Sequence, residues 1–297
     1  MENSYAIELK NLTKNYGKFK ALNDMSMKLG KNKIYGLLGR NGAGKTTILN
    51  ILSARLFPTS GETCVFGNNA YENINTLRQI CYIEEKGFYA NSIKVSDVLK
   101  LSSGLYPNWD NDYANRLLRI FELNPKKKYK QLSRGMESSL GLIIGLASRA
   151  PLTIFDEPSL GLDAVIRERF YDQVIEDFSN NPRTIIISTH LIDEVSRIFE
   201  DIVIVDKGQI LLQSEVTKLN EKAFFVSGTE EAVKRATSDA IILNKETFGS
   251  TFILSVYAEN GINSSDVEVQ PMPLQKLFVN LINSENKNLI RKVGITQ

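Results

Sequence analysis

Between an apolar segment, KIYGLL, and a helix-like run, TILNILSARL, lies Gly39-Arg-Asn-Gly-Ala-Gly-Lys45-Thr46. The spacing is G-x-x-x-x-G-K-[ST], placed after a strand and at the start of a helix, as that motif requires. Its glycines let the loop curl so that successive backbone N–H groups converge where phosphate oxygens are held. Lys45 reaches the β- and γ-phosphates, Thr46 offers a hydroxyl to Mg2+, and the helix N-terminus adds its positive end. Gly39, Asn41, Gly42, Ala43, Gly44, Lys45, Thr46 and Thr47 are therefore the phosphate-binding candidates. The expected ligand is a nucleoside triphosphate with Mg2+. The fold is constrained as tightly: a strand–loop–helix unit cannot bury its strand alone, so an α/β domain with a largely parallel sheet follows.

The rest of the chain fits that demand. Residues 5–38 read as short strands and turns, and TCVFG and ICYI as further strands. From about Phe88 to Ala150 apolar residues recur at three- and four-residue spacing, which predicts a helical insertion. LTIFDE is strand-like, AVIRERFYDQVIEDF an amphipathic helix, TIIIS a strand, and IVIVDKGQILL a hairpin turning at Lys207-Gly208. After Glu215 the pattern restarts, and residues 216–297 predict a small βαββα accessory domain behind a main domain of residues 1–215. No catalytic spacing occurs in this appendage, so a packing or partner-contact role is expected. No apolar run approaches the roughly 18 residues of a membrane span, and MENSYAIELK lacks a signal-peptide core. Cys64 and Cys81 both fall in strand-like segments and are expected as buried thiols. These features point to the cytosol, or to the cytosolic part of a larger assembly.

Three further residues fall where an α/β sheet binds ligands, at the carboxyl ends of strands. LTIFDEP ends in Asp156 and Glu157. Asp156 suits Mg2+, directly or through water, and Glu157 could polarise an attacking water. A plain strand-to-loop exit is the alternative. His190, the one histidine in the chain, follows TIIIS. A lone histidine is more often structural, but at this edge a neutral imidazole could bridge the γ-phosphate and the water.

GRNGAGKTT, LSRGM (Leu132–Met136), LTIFDEP, SLGLD and STH occur in the order seen in ATP-binding-cassette ATPases. The chain resembles that superfamily over about residues 5–215. The resemblance implies a RecA-like α/β core with an antiparallel β part and an inserted helical subdomain. It also implies ATP and Mg2+ as cofactors, and two cassettes closing around two nucleotides. LSRGM resembles the signature loop, usually LSGGQ, which completes the site of the opposite subunit. Ser133 and Gly135 would carry that contact, with Arg134 and Met136 departing from the usual residues. Tyr16 resembles the aromatic that stacks on adenine, and Asp163 the loop that touches the partner. Glu85 aligns with the family's glutamine that binds the metal and couples to the helical subdomain, making Thr46, Asp156 and Glu85 the expected metal set.

The stretch YPNWDNDYANRLLRIFELN and Glu85 look like ATPase subunits of Gram-positive exporters of amphipathic peptide toxins (phenol-soluble modulins) and cell-envelope-active peptides. The implied partners are transmembrane subunits and a second cassette, identical or related, at the cytoplasmic face of the membrane. Phe88, Tyr89 and Trp109 are candidate docking aromatics. Two other readings compete. A member acting on nucleic acid or ribosomes is disfavoured by one cassette, no heptads and a net charge of +2. A regulatory partner with little turnover is motivated by Glu85 and LSRGM, and opposed by Glu157 and His190.

Overall fold

The computed structural model describes residues 4–84, 89–192, 196–249, 251–263 and 265–283. Two strands longer than expected open the chain, β1 (Tyr5–Tyr16) and β2 (Phe19–Gly30), paired antiparallel. The register slips between Leu9 and Leu12, a bulge that interrupts the alternation of YAIELKNL without ending the strand. With β4 (Ser60–Val65) they form a three-stranded sheet, ordered β2-β1-β4.

The second sheet carries the site. Its strands are β3 (Ile34–Leu38), β5 (Ile80–Ile83), β6 (Leu152–Asp156), β7 (Thr184–Thr189), β8 (Asp201–Asp206) and β9 (Gln209–Glu215), in the order β5-β6-β7-β3-β8-β9. All pairings are parallel except β8 with β9, the expected hairpin. The parallel strands are apolar on both faces because both are covered. Tyr35, Leu37, Ile154, Ile186 and Val203 pack toward α1 (Lys45–Leu52) and the antiparallel sheet. Ile34, Leu38, Phe155, Ile185, Ile187 and Ile204 pack toward the helical insertion.

After α2 (Ile74–Leu77), that insertion consists of α3 (Val95–Leu105), α4 (Asn111–Ile120) and α5 (Arg134–Ala147). Helix α6 (Ala164–Asn180) follows β6. Side chains of Asp110, Ser133 and Asp163 cap α4, α5 and α6 by accepting backbone N–H groups of the first turn.

The C-terminal part begins with α7 (Val216–Asn220) and β10 (Ala223–Gly228), then α8 (Glu230–Ala236), β11 (Ile241–Phe248) and β12 (Thr251–Tyr257). It ends with β13 (Glu268–Pro271) and α9 (Leu274–Asn283), and its antiparallel sheet runs β11-β12-β10-β13. β13 adds one strand to the expected βαββα pattern. Four residues, EVQP, carry too little alternation to announce it. Leu277, Phe278 and Leu281 of α9 join the same apolar cluster as Phe155 and Ile187, so this part packs against the main core. Cys81 is buried and Cys64 only half-buried, and neither forms a disulfide. No described helix is long and apolar enough to cross a membrane.

Candidate nucleotide site

The loop between β3 and α1 is pinned from behind. Gly208 of the β8–β9 turn donates its N–H to Ala43 O at 2.9 Å, and Asn23 N–H donates to Gly208 O at 2.8 Å. Gly44, with φ of 113°, turns the chain into α1 in a conformation that a side chain would strain, and no side chain caps that helix. Its first N–H groups are left for an anion. Asn41 and Gly42 are exposed at the loop tip, Thr46 is exposed at the first helical turn and Thr47 half-buried beside it.

A cavity of about 520 Å3 opens over this loop, within the range of small-molecule sites. Its floor is the stretch from Arg40 to Thr47, its inner wall is Glu157, Leu160 and His190, and its mouth carries Tyr16 and Phe19. The two aromatics face each other across the β1–β2 turn, where Tyr16 pairs with Phe19. Both are more than half-open or half-open to solvent, at 50% for Tyr16 and 63% for Phe19.

Parallel pairing brings Asp156 level with Ser188, and Leu38 level with Thr189, so three strand ends converge beside the loop. The Lys45 ammonium is buried and donates to Gly39 O at 2.8 Å. It also pairs with Glu157 Oε1 at 3.1 Å, while Glu157 Oε2 lies 2.9 Å from His190 Nδ1. An ionised Glu157 can only accept, so the Nδ1 nitrogen carries the hydrogen in this contact. Glu157 itself sits at φ of 50°, its N–H donating to Ser188 O and Oγ at 3.1 Å each. This backbone geometry turns its carboxylate toward the cavity while Asp156 stays beneath.

Asp156 is buried and accepts two hydroxyl hydrogen bonds, from Ser188 Oγ to Oδ1 and from Tyr82 to Oδ2 at 3.1 Å. Burial, then the adjacent Asp156 charge, pushes the Tyr82 phenol far above its usual range, so it stays a neutral donor. Among the described residues no cluster of three or more His, Cys, Asp or Glu side chains could hold a metal alone. The oxygen donors of Thr46 and Asp156 suit Mg2+, which keeps waters and takes substrate phosphates as its other ligands. Glu85 and Phe88 lie outside the described residues.

Neither Ser133 nor Gly135 lines this cavity. They begin α5, where exposed Ser133 accepts the Met136 N–H at 3.3 Å. Gly135 presses against the loop that follows Glu157: a β-carbon there would lie 2.8 Å from Gly161 O. Ser138 Oγ donates to Leu160 O at 3.0 Å, and the Arg134 stem covers Gly161. The glycine in LSRGM is thus required by packing within the chain. Met136 is half-buried and accepts from Lys127 Nζ at 3.5 Å. Asp163, exposed, accepts the N–H groups of Val165 and Ile166 at 2.9 Å each. Trp109 is half-buried against the core, and Tyr89, one-third exposed, packs edge-on against Tyr129.

Sequence reading missed Phe19, Arg40 and Leu160 in the cavity wall, and Tyr82 and Ser188 on Asp156. Phe19 had a usable signal, an aromatic three residues after Tyr16 across a Gly17 turn.

The family model described as ABC transporter matches residues 22–160. The bacitracin transport ATP-binding protein BcrA of Bacillus licheniformis is 30% identical over 300 residues, covering 94% of this chain and 98% of that protein. The lantibiotic transport ATP-binding protein SrtF of Streptococcus pyogenes is 34% identical over 211 residues, covering 70% of this chain and 90% of the relative. Among solved structures, a dimeric ATP-binding cassette in a post-hydrolysis state with ADP and Pi superimposes with a TM-score of 0.63 at 22% identity, covering 71% and 98% of the two chains. With the phosphate loop, paired acids and histidine on one sheet edge, these matches place the chain in the ABC transporter family, as an ATP-binding subunit that hydrolyses ATP.

Proposed function

We infer that two cassettes, this chain with its own copy or a related one, close around two ATP molecules and drive separate transmembrane subunits at the cytoplasmic face of the membrane. The observation that carries this reading is that Ser133, exposed at the start of α5, does not line the chain's own cavity. One monomer then offers two half-sites. Residues 1–215 would form the cassette and residues 216–297 an accessory domain. The cargo class that fits best is a membrane-active or cell-envelope-active peptide moved outward, since transport of bacitracin and of lantibiotics stands in the names of the two relatives.

ATP, when bound with Mg2+, supplies the γ-phosphoryl group that water attacks. Lys45 leaves Gly39 O and Glu157 to neutralise phosphate charge, while Thr46 and Asp156 would hold the metal. Glu157, freed from that ion pair, takes the proton from water, and His190 keeps its carboxylate in place through Nδ1. Asp163 would meet the partner cassette.

Three measurements test this. A Glu157→Gln variant is expected to dimerise in Mg-ATP and return to monomer when Ser133→Arg is added, as read by light scattering. Retained dimer in the double variant rules out LSRGM as the completing loop. Tyr16→Ala is expected to weaken nucleotide binding about tenfold, roughly 1.4 kcal/mol of lost stacking. In a fluorescent-nucleotide titration, no loss there with a tenfold loss in Phe19→Ala transfers the adenine platform to Phe19. For the cargo, a Lys45→Ala strain should become sensitive to cell-envelope-active peptides. Unchanged sensitivity with intact transmembrane subunits removes the peptide reading.

A further inference from the structure

Asp156 is held from both neighbouring strands. Ser188 on β7 reaches one carboxylate oxygen and Tyr82 on β5 the other, the latter at 3.1 Å. Tyr82 and Ile154 are register partners, so the Tyr82 side chain lies on the same sheet face as Ile154 and Asp156. For packing against that face a phenylalanine would serve equally well. A half-buried hydroxyl is an expense unless it is bonded, and here its bond goes to the one carboxylate that ends β6. The other side of the ring is covered by the Arg55 guanidinium, 5.2 Å from its centroid, and Arg55 is ion-paired with Glu84. Glu84 is the last described residue before the helical insertion. An arginine over a phenol ring, and that ring's hydroxyl on a carboxylate, therefore link the exit of β5 to the end of β6.

We propose that Tyr82 is a positioning residue for the metal-binding carboxylate Asp156, with Arg55 fixing the Tyr82 ring. This rests on the assignment of Asp156 as a metal ligand given above. Two hydroxyl donors occupy one lone pair on each oxygen and leave the remaining lone pairs in fixed directions. Loss of such an outer partner typically costs 10- to 100-fold in metal affinity or activity. Because Tyr82 belongs to the strand that feeds the insertion, a shift at Glu84 reaches the metal-binding carboxylate through a single side chain.

The experiment uses the full-length chain carrying Glu157→Gln, so that binding is read without turnover. Nucleotide affinity is titrated against Mg2+ and again in EDTA, for that chain alone and with Tyr82→Phe, Arg55→Leu or Asp156→Asn added. Bound Mn2+ is followed in parallel by its electron paramagnetic resonance spectrum. Tyr82→Phe should leave affinity in EDTA unchanged, raise the Mg2+ midpoint about 10- to 100-fold and alter the Mn2+ spectrum. In the otherwise native chain it should lower kcat with little change in KM for ATP, with recovery as Mg2+ is raised. Arg55→Leu, at a side chain about half open to solvent, should shift the midpoint in the same direction by less. If Asp156→Asn raises the midpoint and neither Tyr82→Phe nor Arg55→Leu does, the positioning role is overturned while the metal assignment stands. If Asp156→Asn leaves the midpoint unmoved, the metal assignment itself has failed.

Discussion

Replacing Glu157 with glutamine is expected to lower steady-state ATP hydrolysis about 10²- to 10⁴-fold, the loss associated with removing a general base. Glu157 stands on the inner wall of the cavity with one oxygen 3.1 Å from the Lys45 ammonium and the other 2.9 Å from His190 Nδ1. Both contacts are to groups on the phosphate-facing edge of the sheet, and the side chain is nearly closed to solvent at 11%. Glutamine keeps the size and one acceptor oxygen but cannot take a proton from water. It also removes the charge that holds Lys45 away from an incoming phosphate. ATP affinity should therefore be retained or improved while turnover falls, and phosphate release with equilibrium dialysis separates the two. Residual turnover above about a tenth of the native rate would assign proton removal elsewhere, contrary to general-base behaviour for Glu157. His190→Ala in the same background would then show whether the imidazole carries it.

How much of this site could be read from the sequence follows from which contacts are local. The phosphate loop was legible because every residue needed lies within Gly39–Thr47, between a strand and a helix that both announce themselves. Asp156, Glu157 and His190 were legible because they end apolar runs, and strand ends converge by construction in a parallel sheet. What stayed hidden depends on register. Tyr82 meets Asp156 only because β5 pairs with β6 with Tyr82 level with Ile154, and Ser188 only because β7 pairs with it directly. Neither distance is written in any spacing along the chain. Gly135 is a subtler case. Its presence was read as room for a phosphate on another chain, whereas within the chain its missing side chain makes room for Gly161 O. Both demands can act on one glycine. Strands β1 and β2 were read too short because their bulges break the alternation that marks a strand.

Asp177→Ala is expected to destabilise the fold by about 3–5 kcal/mol, far from the cavity and without direct effect on nucleotide contacts. Asp177 is buried on α6 and bonds two guanidinium groups, Arg149 and, at 2.6 Å, Arg183. Arg183 is itself 5% exposed and donates Nε–H to Thr153 Oγ1 at 3.2 Å. Arg149 reaches back to Asp110, the cap of α4, at 3.1 Å, and lies over the Tyr113 ring. One carboxylate thus ties α4, the end of α5, α6 and the start of β7. Removing it leaves the buried Arg183 guanidinium with no other carboxylate paired to it among the described residues, a cost that solvent cannot screen. The exposed pair Arg197 and Glu168 provides the contrast. Deleting Glu168 should cost no more than about 1 kcal/mol, as for surface pairs generally. Urea unfolding of the two variants, compared at unchanged slope, checks both. A loss near 1 kcal/mol for Asp177→Ala would mean that water enters the site and solvates Arg183. Replacing Asp177, Arg149 and Arg183 together with apolar residues of similar volume should recover most of the loss, because the cost lies in the unpaired charge and not in the missing pair.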